Sequence, residues 1–158
     1  AAVGEDFTII FRFSQWKQQD YTAKLCQTPE ELATFLGLLS DAGVDIFHAS
    51  TRRFWVPEFE GSDLNLAGWT KKLTNKPVIT VGNVGLDADF IGEGNADLSG
   101  TSNPTGIDEL LVRLNNDEFD LVGIGRALLV DPQWVNKIKT NAINEIKPFN
   151  KKSLMSLS

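Results

Sequence analysis

Two glycine-bearing segments carry the clearest chemical signal in this sequence. Val81-Gly82-Asn83-Val84-Gly85 follows one β-branched run, and Gly123-Ile124-Gly125-Arg126-Ala127-Leu128 follows another. Glycine lets a backbone approach a ligand closely. A helix starting at about Ala127 would aim free N–H groups and the positive end of its dipole at the same spot. Arg126 adds a planar charged fork suited to phosphate oxygens. A phosphate site is one reading; tight turns beside a solvated arginine are the other. Arg12 is the second signal, because it lies in the apolar run Phe7-Thr8-Ile9-Ile10-Phe11-Arg12-Phe13-Ser14. An unpaired buried charge is expensive, so Arg12 needs either a carboxylate or the electron-rich edge of a ligand.

His48 is the only histidine and so the only side chain with an ordinary pKa near neutrality. A triad with Ser50 and Asp45 can be drawn on paper. Residues i and i+2 share a strand face and align poorly as nucleophile and base, so a structural or ligand-lining role fits His48 better. No catalytic residue is assigned. Cys26, the single cysteine, has only Lys24 as a nearby cation and reads as a structural or incidental thiol. The segment Thr51-Arg52-Arg53-Phe54-Trp55-Val56-Pro57-Glu58-Phe59 is either a binding loop at a strand end or a surface loop packed over a core edge.

These residues need elements to hold them. Phe7–Ser14 alternates and reads as a strand, with Phe7, Ile9, Phe11 and Phe13 on one face. Thr28-Pro29-Glu30-Glu31 opens a helix through an N-cap threonine, a first-turn proline and a capping-box glutamate. Strand then alternates with helix. Val44–Ala49, Pro77–Val81 and Phe119–Ile124 are strands; Asp63–Leu73 and Gly106–Leu114 are helices, and Asp131-Pro132 caps a last one. Gly92–Thr105 reads as a flexible loop, and the tail from Lys147 as polar and frayed. Strict alternation implies a parallel sheet with helical crossovers, either doubly wound or part of a β/α barrel. Arg12 and Ser14 at a strand's C-terminal end favour the barrel, which places its chemistry there.

Composition sets limits. The chain has 158 residues, a formal net charge of −6, one His and one Cys. A zinc finger, a three-histidine metal site and a disulfide are therefore excluded, and no metal site is assigned. A pI near 4.8 argues against general nucleic-acid binding. No run of 18 apolar residues offers a membrane span, and the first six residues lack the form of a signal peptide. A lone cysteine fits a reducing compartment, so the expected location is cytoplasmic.

Four segments together resemble one family. Phe11-Arg12-Phe13-Ser14-Gln15-Trp16-Lys17, His48-Ala49-Ser50-Thr51-Arg52-Arg53-Phe54-Trp55, Asn65-Leu66-Ala67-Gly68-Trp69-Thr70-Lys71 and Phe119-Asp120-Leu121-Val122-Gly123-Ile124-Gly125-Arg126-Ala127-Leu128-Leu129 are similar in order and spacing to the Old Yellow Enzyme family. Its members are FMN-dependent NAD(P)H oxidoreductases, or ene-reductases, on a β/α barrel. The resemblance runs from about Gly4 to Ile138. It implies FMN as cofactor and NAD(P)H as co-substrate of the complete enzyme, which reduces a small-molecule acceptor. It assigns Arg12 to the flavin ring near N1 and the C2 oxygen. It assigns Gly82 and Asn83, then Gly125 and Arg126, to the phosphate.

The chain also departs from that family. Four earlier strand–helix units are missing, and with them the His-Asn or His-His pair and the tyrosine proton donor. His48 lies in the wrong unit to supply the pair, and Tyr21 has no donor motif around it. The fold class expected is thus α/β, the C-terminal half of a TIM (β/α)8 barrel with about four parallel strand–helix units. Residues 1–146 form the FMN- and phosphate-binding half barrel, and 147–158 a polar tail. A whole barrel takes about 250 residues. A half barrel exposes sheet edges and an inner face, so a homodimer or pairing with a missing N-terminal half is expected. The alternative function is a non-catalytic phosphate- or FMN-binding or assembly module.

Overall fold

A computed structural model describes residues 4, 6–17, 20, 22–87, 101–102 and 104–154. The expectations for Tyr21 and for most of the loop Gly92–Thr105 lie outside them. In chain order the elements are β1 (Ile10–Phe13), α1 (Pro29–Asp41), β2 (Ile46–Ser50), α2 (Leu66–Thr74), β3 (Val78–Val81), β4 (Thr101–Ser102), α3 (Ile107–Asn115), β5 (Leu121–Gly123), α4 (Arg126–Val130), α5 (Trp134–Lys139) and β6 (Phe149–Asn150). The chain divides into two compact units: one runs to Gly82 and includes Val112–Val122, the other comprises Asn83–Leu111 and the chain from Gly123.

The first unit is built on a parallel sheet of order β1-β2-β3-β5. Arg12 lies opposite His48, and His48 opposite Ile79. The α/β class and parallel topology expected from the alternation are both present. Because side chains alternate across a strand, Phe13, Phe47, Ala49, Val78 and Thr80 share one face, and all are buried. Phe35 of α1 closes on this face, 5.8 Å from the Phe13 ring and 6.4 Å from Phe11. The opposite face carries Arg12 and His48 and leaves Ile10 half exposed, at 53%.

Local chemistry sets the helix starts. The Thr28 hydroxyl accepts the Glu31 N–H at 3.3 Å, as a capping box requires. Glu31 reaches back one residue further than expected, to the Gln27 N–H at 2.6 Å. Helix α2 starts at Leu66 rather than Asp63. The reason is Asn65, whose side-chain oxygen caps the Gly68 N–H at 2.8 Å while its amide donates to the Phe54 carbonyl. The first strand is also shorter than its alternation suggests. Phe7 and Ile9 are exposed, and the Ile9 N–H is taken by the Asp45 carboxylate at 2.8 Å.

In the second unit β4 pairs antiparallel with β6. Val84, Leu86, Ile107, Leu110, Ala127, Trp134, Ile146 and Phe149 are its buried apolar residues. The frayed tail expected from Lys147 does not hold over this stretch. Phe149 is 1% exposed, and the Lys147 N–H is fixed to the Asp131 carboxylate at 3.1 Å. One aromatic among polar neighbours supplies too little pattern to mark a packed segment. Asp131 precedes the last helix as expected, but it is buried and holds Lys137 at 2.7 Å and the Gln133 N–H at 3.2 Å.

Burial opposes ionisation of Asp131, yet the Lys137 contact and the two N–H donors outweigh it and hold its carboxyl below the ordinary range. A depressed carboxylate contributes stability that is complete above its unfolded pKa. That stability is lost as pH falls through the folded value. Asp131→Ala, which strands Lys137 and two N–H groups, should cost about 3 kcal/mol at neutral pH in urea unfolding. Asp131→Asn should flatten the acid limb of the stability–pH curve below about pH 4.

Candidate functional site

The site residues expected from the sequence fall at the C-terminal ends of strands, in two groups that belong to different units. In the first unit Arg12 ends β1, and its Nη2 donates to the Ser50 hydroxyl at 3.2 Å. It is exposed on the open sheet face and needs no carboxylate in the first unit to hold it there. His48 stands opposite it in the ladder, with a buried Nε2 that makes no hydrogen bond. Burial first, and then the Arg12 charge, pushes the His48 pKa down. His48 is thus neutral at neutral pH, and Arg12 carries the positive charge of this patch. The paper triad does not form: Ser50 accepts from Arg12, and Asp45 is spent on the Ile9 N–H.

Gly82 has a structural reason of its own. Its φ is +147°, and a Cβ built there would lie 2.5 Å from both the carbonyl and the hydroxyl oxygen of Thr51. Thr51 in turn bonds the Val81 carbonyl through its N–H at 3.0 Å and its hydroxyl at 2.8 Å. The Phe54 N–H donates to the Gly82 carbonyl at 3.1 Å. The loop after β2 is therefore seated on the end of β3.

In the second unit the structure brings two expected residues into direct contact. Arg126 donates to the side-chain oxygen of Asn83 and lies over the Phe149 ring, 5.4 Å from its centroid. Asn83 adopts φ +47°, a left-handed conformation that asparagine tolerates better than most residues. Gly125 precedes α4 without a side-chain cap, and a Cβ there would meet open space. A charged fork, an uncapped helix start and an uncrowded backbone suit an anionic group.

Sequence reasoning missed Phe149, Asn65 and Gln15. Gln15 is buried and brackets Cys26, accepting its N–H at 2.8 Å and donating to its carbonyl at 3.0 Å. Burial, then the Glu31 and Glu58 charges, raises the Cys26 thiol pKa, which suits the structural role expected. Lys24 pairs with Glu58 at 3.2 Å instead of activating that thiol. The loop Thr51–Phe59 combines both readings open for it. Phe54 and Phe59 are buried, while Arg52, Arg53, Val56, Pro57 and Glu58 join Trp16 around a cavity of about 240 Å³. Among the described residues no group of three or more His, Cys, Asp or Glu could hold a metal ion. No described helix is long and apolar enough to cross a membrane.

The fold and these strand-end groups define a parallel β/α assembly of the kind used by barrel enzymes. Comparison with known proteins finds two curated relatives and two solved structures of like fold. The chain is 32% identical to an NADH oxidase of Thermoanaerobacter brockii over 92% of its own length and 20% of that protein. It is 31% identical to a bilirubin reductase of Clostridium symbiosum (strain WAL-14163) over 68% of its length and 27% of that protein. The chain thus spans about a fifth and a quarter of these relatives. Two structures of morphinone reductase in complex with tetrahydroNAD share its fold, with TM-scores of 0.54 and 0.53 at 13% and 14% identity. They match 89% and 84% of this chain and 30% and 29% of theirs. No family model matches.

Two measurements check these assignments. Gly82→Ala should cost about 2–4 kcal/mol, from strained φ and a collision with backbone oxygen, whereas Gly125→Ala should stay within about 0.5 kcal/mol. Histidine NMR should show His48 titrating below an ordinary imidazole. Arg12→Gln should raise that pKa without fully restoring it, because burial is the larger cause.

Proposed function

We propose that this chain is the C-terminal, FMN-binding portion of an NAD(P)H:flavin oxidoreductase of the Old Yellow Enzyme family. The contact between Asn83 and Arg126 carries the reading, because two residues separately assigned to a phosphate are held together. Asn83 and Phe149 position the guanidinium, and the open space at Gly125 leaves its backbone accessible to a phosphate. Gly82 contributes the turn that leads into Asn83. In the first unit Arg12, steadied by Ser50 and beside a neutral His48, supplies positive charge for the N1 and C2-oxygen edge of a flavin. FMN, when bound, would take hydride from NAD(P)H and deliver it to a small-molecule acceptor. The names of the relatives, an NADH oxidase and two reductases, agree with this class of reaction.

The remaining assignments follow from the same reading. Residues 1–146 are the half barrel and 147–158 its tail, which contributes Phe149. By the family resemblance, the acceptor-binding pair and the proton donor would come from the earlier strand–helix units. The chain alone therefore binds FMN weakly and turns over no substrate, in a cytoplasmic setting. Its open sheet face, with Ile10 half exposed, is met by a companion half barrel or a second copy. Parallel sheets are normally covered on both faces.

A non-catalytic FMN- or phosphate-binding module is the second reading, favoured by the Asn83–Arg126 contact, which suits an anion and has no assigned catalytic residue beside it. Colour separates the two. A shift of the flavin absorption band when FMN is titrated into the chain, and at least about tenfold weaker FMN affinity in Arg126→Ala, are expected; FMN affinity unchanged by Arg126→Ala would overturn the phosphate assignment. Bleaching by NADPH once a companion half is supplied supports the oxidoreductase, and persistent colour supports the module. Light scattering should report a dimer or larger species at micromolar concentration; a stable monomer would contradict the open-face pairing.

A further inference from the structure

Trp134 opens α5, is only 3% exposed, and packs against Gly85, two residues beyond Asn83. We propose that Trp134 is a positioning residue for the Arg126 fork, wedged where it braces both partners of the Asn83–Arg126 contact. All of these residues lie in the second unit. On one side the indole meets Gly85, whose φ is +71°. A Cβ there would lie 2.8 Å from the indole Cζ2 and 3.1 Å from Cε2 and Nε1, so only a residue without a side chain admits the ring. Gly85 belongs to the turn closed by the Leu86 N–H on the Asn83 carbonyl at 3.1 Å. Buried Val84 and Leu86 pin that turn on either side of the glycine. A ring pressed on Gly85 thus sets the course of the turn, and with it the Asn83 side-chain oxygen that holds Arg126.

On the other side the backbone of Trp134 is tied to the helix that begins with Arg126. Its N–H donates to the Asp131 carbonyl at 3.0 Å, and the Asp131 N–H donates to the Ala127 carbonyl at 3.0 Å. Ala127 follows Arg126 in α4. The Asp131 carboxylate fixes the same corner through Lys137 and the Lys147 N–H, two residues before the Phe149 ring that lies under the guanidinium. The indole Nε1 is buried and makes no hydrogen bond. An unpaired buried donor is unfavourable, and phenylalanine would fill a core position without one. Tryptophan at 134 is thus explained by the reach of its fused ring onto Gly85, not by its polar atom.

The effect on a ligand rests on the phosphate reading of Arg126; the bracing does not, and the two are measured separately. In the full chain without FMN, nitrogen-15 NMR follows the side-chain amide signals of Asn83, assigned by their loss in Asn83→Ala. Arg126→Ala marks how far they move when the contact is broken. Trp134→Leu should move them most of that way. Leu110→Ala, which removes buried apolar surface from α3 in the same unit, should leave them in place. Trp134→Phe should move them in the same direction as Trp134→Leu, and serves if the leucine variant fails to fold. Fluorescence titration then compares FMN with riboflavin, which lacks the phosphate. Trp134→Leu should weaken FMN about tenfold and leave riboflavin unchanged. Asn83 signals that stay in place in a folded Trp134 variant, or that move as far in Leu110→Ala, would overturn the bracing. FMN affinity untouched by a Trp134 variant that moves those signals would overturn the role in positioning the fork. FMN bound no more tightly than riboflavin by the unsubstituted chain would remove the phosphate reading and leave the bracing to be decided by the Asn83 signals.

Discussion

The close approach of Thr51 to Gly82 governs the functional end of the first unit. Thr51 puts its N–H and hydroxyl on the Val81 carbonyl while its own oxygens occupy the space of a Gly82 Cβ. Any side chain at position 82 would push the loop off β3. The same seating brings the Phe54 N–H to the Gly82 carbonyl, and Asn65 then ties the Phe54 carbonyl to the first turn of α2. Strand end, loop and helix start thus form one hydrogen-bonded chain. Arg52 and Arg53 lie between its fixed points, so their backbone is held whatever their side chains bind.

The sheet of that unit is finished on one face only. Phe13, Phe47, Ala49, Val78 and Thr80 are sealed under helices, while Ile10 and Arg12 remain open. The open face is not uniformly apolar. Arg12 and His48 sit side by side in it, the guanidinium on Ser50 and the imidazole with an unsatisfied nitrogen. On the proposed pairing, a companion would bring hydrogen-bond acceptors to Arg12 and apolar side chains to Ile10.

Much of this was legible in the sequence, and the limits are physical. Alternation of strands and helices reads directly from period and caps, and the α/β parallel class followed from it. The contact of Asn83 with Arg126 was half legible: both residues stood out, but only the fold brings positions 43 apart in sequence together. Gly82 stood out for ligand approach, whereas the structure shows a packing reason in Thr51, a partner 31 residues away that no local pattern reveals. Asn65, Gln15 and Asp131 are polar residues that became buried because each found several partners. A sequence lists polar residues without their partners, so it gave no sign that these are buried. Phe149 failed for the opposite reason, since one aromatic in a polar stretch has no periodicity to detect.

The distribution of positive charge bears on the proposed reading of the strand ends. The chain is acidic, with a formal net charge of −6 and ten lysines against five arginines. Arg113 is absorbed structurally by Glu118 at 2.9 Å and the Asp63 carbonyl at 3.1 Å. The other four, Arg12, Arg52, Arg53 and Arg126, all lie at or just after the C-terminal end of a strand. A net negative field does not draw anions in from a distance, so attraction has to be local and directional. Guanidinium provides that better than ammonium, because its planar fork fixes geometry as well as charge. Ser50 steadies one such fork and Asn83 another. Solvation alone would be met as well by lysine, and on the proposed reading these forks would hold anionic groups in defined orientations.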